Sequence, residues 1–440
     1  MGHLNNKNNL KRFENIFSDP EKVLDYHSSF PPGKIVVLPS KPCLSKQDLT
    51  LAYTPGVAIP SLLIKENPEF AYNYTGKGNL VAVISNGTAV LGLGNIGPLA
   101  GKPVMEGKAL LFKKFAGIDA FDIEINTEDP SQLINCVKLI SGTFGGINLE
   151  DIKSPECFSI EEELIESLNI PVFHDDQHGT AIVVAAALIN SLRLNGKKIE
   201  NLRTVFCGAG AAGIAIARLL TKMGLDKNNV IMCDIHGVVY KGRKEDMNRW
   251  KDPFAAETSF RTLTEAIKGA DLFIGVSGPN LLSDGGLKSM NKDPMVFALA
   301  NPIPEISFER AVGIRSDVLI ATGRSDFPNQ INNLLGFPYI FRGALDSRAR
   351  IINDEMKMAA ANAIAKLALE PITSEVLNAY GLQSLSFGRE YLIPKPFDSR
   401  LFERVSFAVA EAAIKSGSSR MDEDFLAAYS RKLRTREILR

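Results

Sequence analysis

Short apolar runs alternate along the chain with longer segments in which apolar residues recur at helical spacing. Residues 204–207 (TVFC) form one short run, residues 214–223 follow with helical spacing, and residues 230–233 (VIMC) form a second run. A short apolar run bounded by turn residues is typical of a strand buried on both faces of a parallel sheet. The pattern therefore predicts a strand, a helix and a second strand in this order.

The same rhythm continues toward the C-terminus. Residues 271–276, 295–300 and 318–321 are strand-like runs, and each ends in a small or polar turn. Such turns after parallel strands line the ligand crevice of a doubly wound sheet. Residues 352–369 and 400–416 have the spacing of amphipathic helices, which we expect to pack back on the first half of the chain or on another subunit.

In the first half, two β-rich runs over residues 80–97 are separated by Asn86-Gly87, which predicts a hairpin. Residues 105–115 (MEGKALLFKKF) predict a helix, and a long apolar helix is predicted over residues 179–194.

A glycine turn joins the strand at residues 204–207 to the helix that follows it. Gly208, Gly210 and Gly213 fit the G-x-G-x-x-G pattern, and Asp234 ends the next strand about 20 residues further on. In dinucleotide binding the glycines permit a tight turn, the approach of a pyrophosphate and close packing of helix and strand. The helix N-terminus attracts the phosphates, and the acid accepts hydrogen bonds from ribose hydroxyls. A glycine turn without a ligand is the alternative. The predicted cofactor-binding set is Gly208, Ala209, Gly210, Ala211, Ala212, Gly213 and Asp234.

A second match to the same pattern, at Gly92, Gly94 and Gly97, is predicted not to bind phosphate. Pro98 and Pro103 follow it, no amphipathic helix is expected to open there, and no acid ends a following strand. Its glycines still permit close approach to a ligand.

Composition and charge narrow the class of protein. The 440 residues predict two or three domains, and 45% hydrophobic with 23% charged residues is ordinary for a globular protein. Fifty basic and fifty acidic residues cancel, which argues against a nucleic-acid partner. No long uncharged apolar run predicts a membrane span, and the N-terminus lacks the apolar core of a signal peptide. An odd number of scattered cysteines suggests thiols in a reducing compartment, so we expect a cytoplasmic protein. They are Cys43, Cys136, Cys157, Cys207 and Cys233.

Two residues in the first domain are candidates for proton transfer. Tyr53 precedes the turn Thr54-Pro55-Gly56, which fixes the backbone beside the phenol. Lys108 lies among apolar residues, a setting that can lower the pKa of a lysine and let it act as a base. The alternatives are a half-buried packing tyrosine and a lysine whose stem covers an apolar surface.

Two pairs of acids follow apolar stretches. The segment INLEDI contains Glu150-Asp151, and the segment PVFHDDQHGT contains Asp175-Asp176. Acids at the carboxyl ends of buried strands meet at one edge of a sheet, and converging carboxylates suit Mg²⁺ or Mn²⁺. His174 and His178 raise zinc as an alternative, and a helix cap is the alternative for Asp176.

Eight motifs in order make the chain resemble the malic enzymes of the short bacterial type. The resemblance covers roughly Gly33 to the C-terminus. It rests on AYTPGVA, GTAVLGLGNIG, EGKALLFKKFAGID, INLEDI, FHDDQHGTA, GAGAAG, ANPIPEI and QINNLLGFPYIFRGAL. The chain ends at Arg440, so we expect it to lack the acyltransferase-like C-terminal domain of some bacterial relatives.

The resemblance implies oxidative decarboxylation of L-malate to pyruvate and CO₂ with NAD or NADP and a divalent cation. It implies that Lys108 is the general base, that Tyr53 is the general acid and that Asp175 supports the lysine. It also implies a homodimer or a higher even homo-oligomer. The resemblance assigns Glu150, Asp151 and Asp176 to the metal, Asn301 to the cofactor and Asn333 to the substrate.

Some positions depart from the family pattern. Ala89 stands where larger relatives have a carboxylate-binding arginine, and Asn86 and Asn95 stand where many short forms have aspartate. Asp234 favours NAD, because a carboxylate repels the 2′-phosphate of NADP, although Lys241 and Arg243 lie close by in sequence. The open alternatives to a malic enzyme are another NAD-dependent dehydrogenase, such as an amino-acid dehydrogenase, and a catalytically silent NAD-binding protein.

The predicted fold class is α/β. An N-terminal α/β catalytic domain over residues 1–177 supplies Tyr53, Lys108 and the metal site. A Rossmann-like, doubly wound parallel sheet over residues 178–340 binds NAD(P). The C-terminal helices of residues 341–440 pack back, and the active site lies in the cleft between the two domains.

Overall fold

Two sheets of mainly parallel strands form the body of the protein. The computed structural model describes Phe17 and residues 19–90 and 92–436. The sequence expectation about a signal peptide concerns residues 1–17, and all of these except Phe17 lie outside the described residues.

The first sheet has four parallel strands in the order β2-β1-β3-β4. Its strands are β1 (Leu80–Ser85), β2 (Asp119–Glu124), β3 (Gly146–Leu149) and β4 (Val172–His174). All of β3 and β4 is buried, as expected for apolar runs in a parallel sheet.

The second sheet has six strands in the order β10-β9-β8-β5-β6-β7. Its strands are β5 (Thr204–Cys207), β6 (Val230–Asp234), β7 (Gly237–Val238), β8 (Leu272–Gly275), β9 (Met295–Ala298) and β10 (Leu319–Thr322). All neighbours are parallel except β6 and the short β7. The chain starts at β5, adds β6 on one side and then returns to the other side for β8, so the topology switches beside β5.

The helices connect and cover these strands. Those that precede the second sheet are α1 (Pro20–Ser28), α2 (Lys46–Ala52), α3 (Ala58–Glu66), α4 (Ala71–Tyr74), α5 (Pro98–Ala116), α6 (Pro130–Ile140), α7 (Glu156–Ser167) and α8 (Thr180–Asn195). Those within or after it are α9 (Ala211–Lys222), α10 (Leu263–Ala266), α11 (Asp284–Ser289), α12 (Phe308–Ile314), α13 (Phe337–Asp346), α14 (Asp354–Leu367), α15 (Ser374–Ala379), α16 (Arg400–Lys415) and α17 (Asp424–Thr435).

The C-terminal helices pack on the first half of the chain. The ring of Phe112 on α5 contacts Phe337 and Phe341 of α13 edge-on, at centroid distances of 4.8 and 5.2 Å. Arg342 donates to the side chain of Asn79 over 2.6 Å, and α14 packs on α8. The predicted α/β class, with a Rossmann-like sheet and returning C-terminal helices, is confirmed. The boundaries at residues 177 and 340 stay a prediction.

The hairpin predicted at Asn86-Gly87 is wrong. β1 pairs with β2 and β3 in parallel, and between Gly87 and α5 the described residues form only an isolated bridge, between Val90 and Gly94. The carbonyl of Gly87 accepts the N–H groups of Ile96 and Gly97, so the chain folds into a compact turn rather than a strand.

The helix expected over residues 105–115 begins earlier. α5 starts at Pro98, directly after the second glycine motif, and runs through Pro103. The expectation that no helix opens there is wrong. Pro98 occupies the first turn, where its missing N–H has no helical partner. The missing N–H of Pro103 leaves only the carbonyl of Leu99 in the exposed first turn without its helical donor.

The N-terminal arm, residues 19–74, contacts the body of its own chain at few places. None of α1, α2, α3 and α4 has a buried residue. Many of its apolar side chains are exposed, and Phe30 is the extreme at 96%. Lys34 donates from its main chain to Glu106 and from its side chain to the carbonyl of Pro103. At the other end of the arm, Glu69 lies 3.8 Å from both Arg348 and Arg420. An apolar surface of this extent is typical of a protein interface.

Among the described residues, no helix has the length and apolar character that crossing a membrane requires. All five cysteines are free thiols. Three are buried (Cys157, Cys207 and Cys233), whereas Cys43 is exposed and Cys136 is partly exposed.

Candidate active site

The two predicted acid pairs meet at one edge of the first sheet. Glu150 and Asp151 follow β3, and Asp175 and Asp176 follow β4. β3 and β4 are neighbouring parallel strands that run in register up to Leu149 and His174, so both acid pairs leave the sheet side by side.

Three of these carboxylates form a cluster that fits a divalent cation. One oxygen from each of Glu150, Asp151 and Asp176 lies within 4.8 Å of the others. The main-chain N–H of Asp151 donates to Oδ2 of Asp176 over 2.8 Å, which ties the two turns together. A set of carboxylate oxygens alone suits Mg²⁺ or Mn²⁺. Burial, together with the negative charges of the neighbouring aspartates, outweighs the charge of Lys108 and raises the pKa of Glu150 well above its ordinary value.

Lys108 of α5 lies against this cluster. Its Nζ is 2.6 Å from Oδ2 of Asp175 and 2.7 Å from Oε1 of Glu150, and it sits 4.3 Å above the ring of Phe337. The side chain of Lys108 is only 11% exposed. The structure therefore brings the predicted base to the predicted metal ligands from a separate element.

The expected direction of the Lys108 pKa shift is wrong for the chain by itself. Burial lowers the pKa of this lysine, but the carboxylates of Asp175, Glu150 and Asp176 outweigh burial and raise it above the ordinary value. The apolar neighbours in sequence do not decide the charge state, because the opposing charges arrive from other strands.

A π-helical turn, Asp175–Gly179, carries the second acid pair into α8. It buries Asp175, whose Oδ2 also accepts a hydrogen bond of 3.0 Å from the side chain of Asn333. The side-chain oxygen Oδ1 of Asn333 in turn accepts a hydrogen bond from the Thr180 hydroxyl over 3.0 Å. Asn333 thus bonds to the partner of Lys108, and its predicted role in binding substrate stays a prediction.

His174 of the FHDDQHGTA motif borders the carboxylate cluster, since its Nδ1 lies 3.8 Å from Oδ2 of Asp176, but this nitrogen makes no hydrogen bond among the described residues. His178 bonds through Nε2 to the buried Glu161, 3.0 Å away, and the main-chain N–H of His174 donates to the same carboxylate over 2.9 Å. Burial opposes the charge on Glu161, but His178, with smaller contributions from Lys357 and His174, outweighs it and lowers the pKa of Glu161 to about 2. Glu161 therefore holds in place the turn that contains Asp176. Its position in the sequence of α7 gives no sign of this role.

Tyr53 lies apart from the cluster within its own chain. It follows α2 in the N-terminal arm and is 68% exposed. Its main chain bonds to Leu49 and Val57, and its hydroxyl has no hydrogen-bond partner among the described residues. One chain by itself does not bring Tyr53 to Lys108.

The predicted dinucleotide turn has the geometry that its three glycines suggest. Gly208 has φ +124°, and a side chain there would lie 2.7 Å from the carbonyl oxygen of Val276. A side chain on Gly213 would lie 2.0 Å from the carbonyl oxygen of Gly208, so helix and turn are in contact. A side chain on Gly210 would point into open space, where a pyrophosphate can approach. The helix α9 begins at Ala211, directly after this turn, and Ala209 and Ala212 complete it.

Asp234 ends β6, as predicted, but its carboxylate is already engaged. Arg243 bonds to both of its oxygens, and Lys251 donates to Oδ2 over 2.9 Å. Burial opposes the charge on Asp234, but hydrogen bonds from Arg243 and Lys251 outweigh it and lower its pKa to about 2. Because two cations neutralise this carboxylate, the expected preference for NAD loses its electrostatic basis.

The second glycine motif borders the cofactor side of the cleft. A side chain on Gly92 would lie 2.7 Å from the carbonyl oxygen of Asn301, which follows β9. The motif therefore allows the first half of the chain to touch the turn that contains Asn301, a predicted cofactor-binding residue.

Two of the positions that depart from the family pattern, Ala89 and Asn95, lie in the same region as the second glycine motif. The main-chain N–H of Ala89 donates to the carbonyl of Asp151 over 3.0 Å, and the amide of Asn95 donates to Glu128 over 2.8 Å.

The fold and the site define a two-domain α/β protein with a dinucleotide-type turn and a lysine-linked carboxylate cluster suited to a divalent cation. The family profile described as "Malic enzyme, N-terminal domain" matches residues 32–165, and the profile "Malic enzyme, NAD binding domain" matches residues 177–378. The chain belongs to the malic enzyme family.

Individual relatives extend this similarity over most of the chain. The NADP-dependent malic enzyme of Halomonas elongata is 56% identical over 91% of this chain and 94% of its own length. The NAD-dependent malic enzyme of Rhizobium meliloti is 54% identical over 94% of this chain and 54% of its own length. The crystal structure of malic enzyme from Pyrococcus horikoshii superposes with a TM-score of 0.84 at 46% identity, covering 94% of this chain and 95% of the other. The chain spans about half the length of several curated relatives that it matches.

Proposed function

We propose that this protein catalyses the oxidative decarboxylation of L-malate to pyruvate and CO₂ with reduction of NAD or NADP, dependent on Mg²⁺ or Mn²⁺. The observation that carries the proposal is the contact of Lys108 with Asp175 and Glu150 beside the three-carboxylate cluster. An amino-acid dehydrogenase would have no use for that cluster. We further propose a cytoplasmic protein with no nucleic-acid or membrane partner.

The reaction includes two proton transfers, one to a base and one from an acid. Oxidation at C2 of malate releases the hydroxyl proton, and the carbon left by CO₂ needs one proton to become the methyl group of pyruvate. Lys108 takes the first proton and Tyr53 supplies the second. Asp175 holds the Lys108 side chain in position through the 2.6 Å contact, and Asn333 holds Asp175.

Glu150, Asp151 and Asp176 would hold the divalent cation. When bound, the cation supplies a positive charge next to the C2 oxygen and stabilises the negative charge that develops there. Its charge also offsets the carboxylates around Lys108, which makes the lysine a better proton acceptor. The glycine turn at Gly208–Gly213 would hold the dinucleotide, whose nicotinamide ring accepts the hydride.

The test is reduction of the nicotinamide, followed by absorbance, with L-malate and Mn²⁺ in parallel reactions with NAD and NADP. We expect reduction with both dinucleotides and one pyruvate per reduced cofactor, because Arg243 and Lys251 neutralise Asp234. Removal of the cation with EDTA should abolish turnover, and Mn²⁺ should restore it. Binding of NADH without turnover of malate would instead favour a silent dinucleotide-binding protein, and metal-independent turnover of an amino acid would favour the other dehydrogenase class.

The proposed homodimer follows from the N-terminal arm. The arm exposes many apolar side chains, and Tyr53 within it has no contact with the cluster of its own chain. Docking of the arm on a second copy would bury this surface and could bring Tyr53 to the Lys108 of the other subunit. In a symmetric dimer each arm would dock on the other subunit, so both active sites would be complete.

A mixed dimer distinguishes this arrangement from action within one chain. Tyr53→Phe and Lys108→Ala variants should each be inactive alone. In a statistical mixture, the dimer with one chain of each kind would have one complete site, so activity should recover to about a quarter of the wild-type value. If Tyr53 serves its own chain, every site in the mixture carries one defect and no activity returns. Mixing either variant with a double variant of both positions is the control, and it should stay inactive.

A further inference from the structure

Glu305 is a buried carboxylate whose role is not explained by the chemistry above. It is 0% exposed, and no cationic side chain pairs with it among the described residues. Its Oε1 accepts the main-chain N–H of Ser277 over 3.0 Å, and its Oε2 accepts the main-chain N–H of Ala300 over 3.1 Å. Both oxygens are therefore committed to backbone donors.

The chain is built closely around this carboxylate. A side chain on Gly275 would lie 2.3 Å from Cδ of Glu305, so only glycine fits at the end of β8. The main-chain carbonyl of Glu305 accepts the N–H of Leu282 over 3.0 Å, and Pro304 accepts that of Asn280 over 3.0 Å. Burying a carboxylate costs free energy unless strong hydrogen bonds replace water, and here two backbone donors do so.

The two donors belong to two different turns of the cofactor crevice. Ser277 follows β8, and Ala300 precedes Asn301 after β9. Ser277 also lies 3.2 Å, Oγ to Sγ, from Cys207, which ends β5 just before the dinucleotide turn. One carboxylate thus links the carboxyl ends of adjacent strands.

The strand order assigns these turns to one half of the dinucleotide. Asp234 ends β6 on one side of β5, whereas β8 and β9 lie on the other side. In a doubly wound sheet the dinucleotide crosses the crevice at this switch point, with adenosine toward the β6 side. The nicotinamide half then lies beside the turns that contain Ser277 and Asn301.

We propose that Glu305 is a positioning residue for the nicotinamide ring of the bound dinucleotide, acting by holding the two turns after β8 and β9 at a fixed separation. Glu305 does not itself reach the ligand, and the inference rests on the dinucleotide binding of the proposed function. In Glu305→Gln an amide NH₂ must face one of the two backbone N–H groups, so one hydrogen bond is lost and that turn is released.

The test compares two probes by calorimetric titration of the whole chain: NADH, and ADP-ribose, which lacks only the nicotinamide. In Glu305→Gln we expect the Kd of NADH to rise about tenfold and the Kd of ADP-ribose to change less than about twofold. The exposed Glu309→Gln on α12 is the matched control and should bind both probes as the wild type does.

A merely structural carboxylate would lower the Tm and weaken both probes alike, so an equal loss would overturn the inference, as would an unchanged Kd of NADH. If Glu305→Gln does not fold, Glu305→Asp decides, because its shorter carboxylate reaches only one of the two donors and should still weaken NADH selectively. A wild-type chain that binds neither probe would overturn the proposed dinucleotide binding together with this inference. Normal wild-type binding with an unselective variant overturns this inference alone.

Discussion

Replacing Lys108 with methionine is expected to lower kcat for malate oxidation by about 10² to 10⁴-fold, the usual range for loss of a general base. Methionine retains most of the apolar stem above Phe337 but has no group that can accept the hydroxyl proton. The measurement is steady-state reduction of the nicotinamide with saturating malate, cofactor and Mn²⁺.

Two binding measurements separate loss of the base from loss of the site. The Kd of NADH should be unchanged, because the glycine turn lies on a different domain from Lys108. The affinity for Mn²⁺ should not fall, since removing a cation that lies 2.7 Å from Glu150 leaves the carboxylates freer to bind another. Lys113→Met on the exposed face of the same helix is the control and should retain full activity. Near-normal turnover by Lys108→Met would contradict the assignment of the base.

The local pattern of the sequence predicted the parts of the fold that are set by neighbours along the chain. The strands β5 and β6, the glycine turn between them and the C-terminal helices α14 and α16 all follow from runs and spacings within a few turns. The same local view failed at Asn86-Gly87, where a hairpin signal yields to the parallel pairing of β1 with β2 and β3. Pairing between strands far apart in sequence is not visible in a turn motif.

The candidate site shows the same division between local and distant causes. The acid pairs are predictable from the sequence because they follow buried strands, and parallel neighbouring strands bring such ends together. The charge state of Lys108 and the ion pairs of Asp234 are not predictable in this way, because the residues that decide them come from elsewhere in the chain. Asp175 lies 67 positions from Lys108, and Lys251 lies 17 positions from Asp234. Arg243 lies only nine positions from Asp234, but its hydrogen bond to the carboxylate follows from the fold and not from the sequence.

Replacing Asp176 with asparagine is expected to weaken Mn²⁺ binding by at least about 100-fold. This exceeds the loss that is usual when the mutated residue only hydrogen-bonds to a metal-binding side chain. Asparagine has the same shape, but it removes one of three negative charges from the cluster of Glu150, Asp151 and Asp176. It also affects a second ligand, because Oδ2 of Asp176 accepts the main-chain N–H of Asp151.

The measurement is the Kd of Mn²⁺ from the electron paramagnetic resonance of the free ion, which does not depend on turnover. Asp284→Asn, at an exposed aspartate on α11, is the control and should leave the Kd unchanged. Because binding is lost rather than chemistry, high Mn²⁺ should restore much of kcat to Asp176→Asn, whereas no concentration of Mn²⁺ should restore Lys108→Met. An Asp176→Asn variant with wild-type Mn²⁺ affinity would remove this residue from the proposed ligand set and leave Glu150 and Asp151 too few to hold the cation alone.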